Sequence, residues 1–253
     1  DSEKPIEKNI AREILREGRF LKDEPIYFLK QELREPAIYN SIFEAIAGGA
    51  SRVNEIATKI HEDTQKCSKY LGILQTIRLI KKAVPCGEDE ASRKTIYKIA
   101  DNYFSFWYHF LFEKKSFYEI LGDEESAKEI MGPQSFFSYF GFIFETLCIR
   151  DLSIYTYDEG GTISYYRDKH GLEADCIIHL KNEDYALIEF KLGSNKIDEG
   201  AENLLKLEGL IKRNIREKNL KMKEPKFLAV VTGTKYAYTR EDGVKVLPIG
   251  VLR

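Results

Sequence analysis

No apolar run in the chain reaches membrane-spanning length, and the first residues lack the apolar stretch of a signal peptide, so the chain reads as cytoplasmic. There is no G-x-x-x-x-G-K-S/T sequence. Thr232-Gly233-Thr234-Lys235 is too short and has no glycine-rich lead, so no nucleotide site is expected here. The four cysteines, Cys67, Cys86, Cys148 and Cys176, form no C-x-x-C pair and share no spacing. That argues against zinc and fits reduced, mostly buried thiols. Internal repeats and low-complexity tracts are absent. An excess of one charge is missing too: 39 Lys and Arg stand against 41 Asp and Glu, a formal net charge of −2. Any nucleic-acid role therefore needs a local basic surface, because the chain as a whole supplies no attracting field.

What is present describes an ordinary globular protein: 253 residues, 43% hydrophobic and 32% charged, enough for two domains. Residues 1–34 carry Ile10, Ile14, Leu15, Phe28, Leu29 and Leu33 at helical spacing and read as a helical lead-in. Residues 35–100 read helix, helix, helix, hairpin. Pro36 opens the first helix, Ser51 is placed to cap the second and Asp63 the third, and strands are expected at 80–85 and 95–99. This is the plan of a winged helix-turn-helix, with residues 64–74 in the recognition position. Its exposed candidates for DNA are Thr64, Gln65, Lys66, Ser68 and Lys69, with Arg93 and Lys94 near the wing. Glu88, Asp89 and Glu90 in the wing loop would repel phosphate, so docking to a protein is the competing use.

Residues 101–132 form a helical connector. The aromatic run DNYFSFWYHFLFEKK within it is expected to be a packed interdomain helix rather than a base-stacking platform, with His109 in that packing or at its rim. Residues 133–253 read αβββαβ, an α/β domain with a mixed sheet. Its helix at 134–150 is apolar almost all round and should be buried, which makes Glu145 conspicuous; ion pairing to Arg150 or Arg167 would explain it. Strands are expected at 162–166, 174–180, 185–192, 227–232 and 244–251, and an amphipathic helix at 197–218. The basic run Lys212, Arg213, Arg216, Lys218, Lys221, Lys223 and Lys226 is mixed with Glu217 and Glu224, which suits a solvated face as well as a phosphate track.

The chemistry centres on YYRDKHGLEADCIIHLKNEDYALIEFKL, residues 165–192. In the second strand Tyr185, Leu187, Glu189 and Lys191 share one face. Asp175 joins the Glu189 side if the two are directly opposed, which requires a turn with an odd number of residues. Two carboxylates suit a hard cation such as Mg²⁺ or Mn²⁺, and a lysine beside them can position water or a phosphate oxygen. A structural ion pair is the bland alternative. His170 reads as a surface residue, and His179, alternating with Asp175 and Ile177, as a neighbour of the site.

The spacing Asp-x13-Glu-x-Lys resembles the PD-(D/E)XK nuclease-like superfamily, although Ala174 stands where that pattern has proline. The runs GFIFETLCIRDL, YYRDKHGLEAD, ALIEFKLG, EGAENLLKL and FLAVVTGT resemble the C-terminal part of a group of prokaryotic AAA-type ATPases, a likeness that extends upstream to about residue 28. The resemblance implies a nuclease-like domain behind a winged helix, with the ATPase domain absent from this chain. It also implies catalytic roles for Asp175, Glu189 and Lys191, and Glu145 as a further carboxylate at the metal. The leading expectation is thus metal-dependent hydrolysis of DNA. The alternatives are a non-catalytic module that binds nucleic acid or protein, or assembles an ATPase, and a transcription regulator built on the winged helix.

Overall fold

The computed structural model describes residues 3–88, 92, 94–168, 171–218 and 222–251. Among the sequence expectations, Arg93, Asp89, Glu90, His170 and Lys221 lie outside them. The chain divides into two compact units, one of residues 1–83 with 90–137, the other of residues 84–89 with 138–253.

The first unit begins with α1 (Ile6–Asn9), a π-helical turn at Ile10–Leu15, and α2 (Phe20–Glu32). Pro25 sits inside α2 and has no N–H to give the carbonyl of Leu21, four residues earlier. The Tyr103 hydroxyl supplies that donor, and Trp107 Nε1 donates to the neighbouring Lys22 carbonyl at 2.8 Å. Both rings belong to α6 (Asn102–Phe110), capped by the Asp101 carboxylate on Phe104 N–H at 2.8 Å. The aromatic helix expected between domains is packed inside this unit. Tyr108 stacks on Phe43 with centroids 4.9 Å apart, and Trp107 is 1% exposed.

Between them lie α3 (Pro36–Ala47), α4 (Val53–Lys59) and α5 (Thr64–Thr76), then the antiparallel pair β1 (Ile80–Ala83) and β2 (Ile96–Ile99). Asp63 caps α5, accepting from Lys66 N–H at 2.8 Å. The α4 cap differs from expectation. Arg52 is the N-cap, and Glu55 reaches back to accept from the N–H groups of Ser51 and Arg52 at 2.9 and 3.0 Å. The Ser51 hydroxyl donates to the same Glu55 oxygen at 3.3 Å instead of accepting from the first turn. Two short helices, α7 (Lys115–Leu121) and α8 (Asp123–Ile130), complete the unit.

The second unit is a mixed α/β structure. Helix α9 (Pro133–Asp158) leads into β3 (Thr162–Arg167), β4 (Glu173–His179) and β5 (Tyr185–Lys191). There follow α10 (Ile197–Lys218), β6 (Phe227–Thr232), β7 (Tyr238–Thr239) and β8 (Lys245–Pro248). The sheet order is β3-β4-β5-β6-β8-β7. The β3–β4–β5 pairings are antiparallel, β5–β6–β8 parallel, and β7 antiparallel to β8. Parallel pairing of β5 with β6 needs a crossover, which α10 provides. Central β5 is buried from Ala186 through Phe190. One of its faces packs on Phe144, Cys148 and Leu152 of α9, the other on Ala201, Leu204 and Leu207 of α10.

Helix α9 is less buried than its composition suggested. Phe137, Phe140, Ile154, Tyr155 and Tyr157 are exposed, because one face alone meets the sheet. Three residues of the basic run near the end of α10 are drawn into ion pairs: Lys212 with Glu208 at 3.0 Å, Lys223 and Lys226 with Asp184 at 2.8 and 2.9 Å. No helix among the described residues is long and apolar enough to cross a membrane.

Candidate metal and phosphate site

The β4–β5 turn sets the register. Leu180 N–H donates to the Asp184 carbonyl at 2.8 Å around the three residues 181–183, with Glu183 left-handed at φ +63°. Asn182 Oδ1 accepts from Asp184 N–H at 3.1 Å inside the turn. Counting back through His179↔Tyr185, Ile177↔Leu187 and Cys176↔Ile188 puts Asp175 opposite Glu189. The ladder stops at that point. Alternation of the antiparallel bonds would next send Phe190 N–H to residue 174, but it donates instead to Asp175 Oδ2 at 2.8 Å. A side-chain carboxylate has taken the place of a backbone carbonyl, which holds Asp175 over the end of β5.

Glu189 is 1% exposed. Its Oε2 lies 3.1 Å from Lys191 Nζ, while its buried Oε1 has no hydrogen-bond donor among the described residues. Lys191 Nζ also lies 4.0 Å from Glu199 Oε1 in the first turn of α10, and Glu199 is paired in turn with Lys196 at 2.6 Å. Burial pushes the Glu189 carboxyl far above the usual carboxylate range; the Asp175 charge adds to the rise and Lys191 opposes it. Burial raises Asp175 as well. The Phe190 N–H works against that rise, and the charge of Glu145 reinforces it. For Lys191 burial acts downward, yet the charges of Glu189, Asp175 and Glu199 outweigh it and hold the ammonium firmly protonated.

The arrangement is a buried and a half-buried carboxyl too close to ionise together, with the Lys191 ammonium against Glu189 and its charge felt by Asp175. It can hold a proton, or exchange that proton for a cation with an affinity for oxygen. Glu145, half-buried on α9, acts on Asp175 through its charge. Arg150 and Arg167, considered as its partners, pair with Asp151 at 2.9 Å and Glu173 at 3.5 Å. Among the described residues no three His, Cys, Asp or Glu side chains are grouped to hold a metal ion. Any ion here would take two carboxylates from the chain and its remaining oxygens from water or substrate, a habit of Mg²⁺.

Sequence reasoning did not find Glu199 or Gly200. A Cβ on Gly200 would sit 3.1 Å from Lys191 Cγ and 3.3 Å from its Cε, so the bare backbone there makes room for the lysine stem. The only sequence hint was EGAENLL at the start of an amphipathic helix. His179 shares the strand but lies four residues from Asp175, about 13 Å at 3.3 Å per residue, and bonds with Ser164 Oγ at 2.7 Å. In the first unit Thr64, Gln65, Lys66, Ser68, Lys69 and Lys94 are all exposed. Lys66 is engaged with Glu62 at 2.8 Å, and Lys94 N–H with Ser92 Oγ at 3.2 Å.

Residues 140–252 match a family model described as a domain of unknown function, DUF4143, a family found in the C-terminal region of AAA-ATPase-like proteins. The match encloses Glu145, Asp175, Glu189 and Lys191. An uncharacterized protein of Methanocaldococcus jannaschii is 31% identical over 142 residues, 56% of this chain and 31% of that protein. The chain thus aligns with under a third of the length of that relative. No solved structure matches.

Proposed function

We propose that the chain is a metal-dependent phosphodiesterase of the PD-(D/E)XK nuclease-like type that acts on DNA, with a winged-helix domain in its first half. The observation that carries the reading is the pair Asp175–Glu189: opposed carboxyls, one of them buried with an oxygen lacking a donor, beside a lysine 3.1 Å away. The Glu189 oxygen that lacks a donor is a position that a cation with an affinity for oxygen could fill. Asp175 and Glu189 would hold Mg²⁺ or Mn²⁺, with Glu145 in electrostatic reach. The ion would polarise a phosphate oxygen and lower the pKa of a bound water. Asp175 is oriented by the Phe190 N–H. Lys191 presents an ammonium for charge growing on the phosphate, and Glu189 and Glu199 aim it. The α3–α4–α5–hairpin order and the exposed polar face of α5 support a DNA-contacting winged helix.

A second reading is a non-catalytic module that binds nucleic acid or protein, associated with an ATPase. It is favoured by the Lys191–Glu189 pair being already closed and by the absence of a three-ligand group among the described residues.

Cleavage of single- and double-stranded DNA with Mg²⁺ or Mn²⁺ tests the proposal, with wild type beside Asp175→Ala and Lys191→Ala variants of unchanged melting temperature. Metal-dependent cutting lost in both variants is the expected result. DNA binding without cutting would favour the second reading, and cutting that survives both substitutions would remove the site from the reaction.

A further inference from the structure

Where β4 and β5 meet their turn, on the α10 side of the sheet, lies a cavity of about 410 Å³. Leu187, Leu207, Ile211 and Met222 give it apolar walls, and Tyr185 adds an aromatic one. Size and lining suit a small organic molecule. Two side chains with chemistry open onto it: Cys86 from the segment 84–89 and His179 from β4.

Cys86 is seated by its own N–H, which donates to the Tyr165 carbonyl of β3 at 2.7 Å. That bond brings Cys86 Sγ to 3.8 Å from His179 Nε2, a sulfur hydrogen-bond distance. Ser164 Oγ meets the same nitrogen at 2.7 Å, and the Tyr185 ring lies alongside the imidazole with centroids 6.5 Å apart. With the ring proton on Nδ1, Nε2 has one lone pair, for which the Ser164 hydroxyl and the Cys86 thiol compete as donors. Burial lowers the proton affinity of His179, so the ring is neutral near pH 7 and can accept a proton. The other three thiols are placed otherwise. Cys67, Cys148 and Cys176 are 0% exposed, and burial pushes them up to about 11, 12 and 12. Cys86 is half-buried at a cavity wall with a base beside it.

We propose that Cys86, His179 and the cavity form a covalent capture site for small apolar α,β-unsaturated carbonyl compounds. The thiol proton passes to His179 Nε2 while Sγ bonds to the β-carbon. The alkene pair moves into the carbonyl as an enolate, and the imidazolium returns its proton to the α-carbon. Atoms and electrons balance without an oxidant or a further reactant. Walls that are apolar apart from Asn214 and the opposite charges of Glu183 and Lys223 favour an uncharged, ring-bearing electrophile over a charged one.

The test is alkylation of the folded full chain by N-phenylmaleimide and by iodoacetate, located by peptide mass spectrometry. Rates are divided by those of N-acetylcysteine with the same reagent. The expected result is one adduct, at Cys86, with the normalised maleimide rate exceeding the iodoacetate rate by about tenfold or more. His179→Phe, a ring of similar size without a base, should cut the maleimide rate by about tenfold with its melting temperature kept, whereas Ser164→Ala should not lower it. Equal labelling of all four cysteines, an equal normalised rate for both reagents, or an unchanged rate in a folded His179→Phe variant would each overturn the proposal. Should His179→Phe fail to fold, the selectivities of the wild-type chain decide it alone.

Discussion

Asp175 lies directly opposite Glu189, one position past the last backbone-paired couple of the β4–β5 ladder, and its carboxylate rather than a carbonyl receives the N–H of Phe190. A strand pair that opens at this position leaves its two acids facing one another at the end of the sheet. The cost is a Glu189 oxygen buried without a donor among the described residues.

That cost should be visible in the pH dependence of stability. A carboxyl held above its unfolded value stabilises the fold while protonated, and this contribution fades as pH rises through the folded value. Metal-free wild type should therefore lose stability between about pH 5 and pH 8 relative to Glu189→Gln. The difference should grow by at most about 1.4 kcal/mol per pH unit for one linked proton. Urea unfolding in EDTA across that range measures it, and parallel curves for the two proteins would contradict the assignment.

Gly200 should matter for activity more than for stability. An alanine there gains up to about 1 kcal/mol of helix propensity but must displace the Lys191 stem 3.1 Å away. Gly200→Ala is expected to melt within a few degrees of wild type yet lose about tenfold or more of any metal-dependent cleavage, since small misplacements of a reacting group are costly. Full activity in this variant would mean that the lysine adjusts freely.

The Tyr103 hydroxyl should be worth more with Pro25 present than without it. Tyr103→Phe leaves the Leu21 carbonyl without its donor and should cost about 1–3 kcal/mol. In a Pro25→Ala background the restored N–H can serve that carbonyl, and the cost should shrink. A double-mutant cycle by chemical denaturation measures the coupling. Additive effects would sever the link between the two residues.

Asp184 should contribute to acid unfolding. Hydrogen bonds from Lys223 and Lys226 hold its carboxyl well below the usual range. A depressed carboxyl stabilises above its unfolded value and loses that contribution as pH falls. Wild type should outlast Asp184→Asn at neutral pH, with the gap closing below about pH 4. Thermal melts at both ends of the range test this, and a gap that persists in acid would point to the turn geometry of Asn182–Asp184 instead.

Much of the second unit was legible in the sequence because its signals are local. Spans 197–218 and 227–232 appear where periodicity placed them, and the strands at 162, 174 and 185 fall within a residue or two. Helix α9 misled because its composition is apolar on every face while the sheet covers only one. The aromatic run at Tyr103–Tyr108 was recognisable as packing, but not as serving the proline-interrupted helix α2, more than 75 residues earlier.

The sequence by itself determined the alternation of Tyr185, Leu187, Glu189 and Lys191 and the cap of α5, and it tied the opposition of Asp175 and Glu189 to an odd turn that the structure supplies. Each follows from residues within one turn, one strand or one hairpin. Only the tertiary structure decided that Phe190 gives its N–H to Asp175, that Glu199 and Gly200 flank Lys191, and that Cys86 arrives beside His179. In the last two, groups far apart in the chain are brought together by a crossover helix or a borrowed loop. At Asp175 the departure is a competition between a side-chain and a backbone acceptor, which burial and strand divergence settle and local patterning does not record.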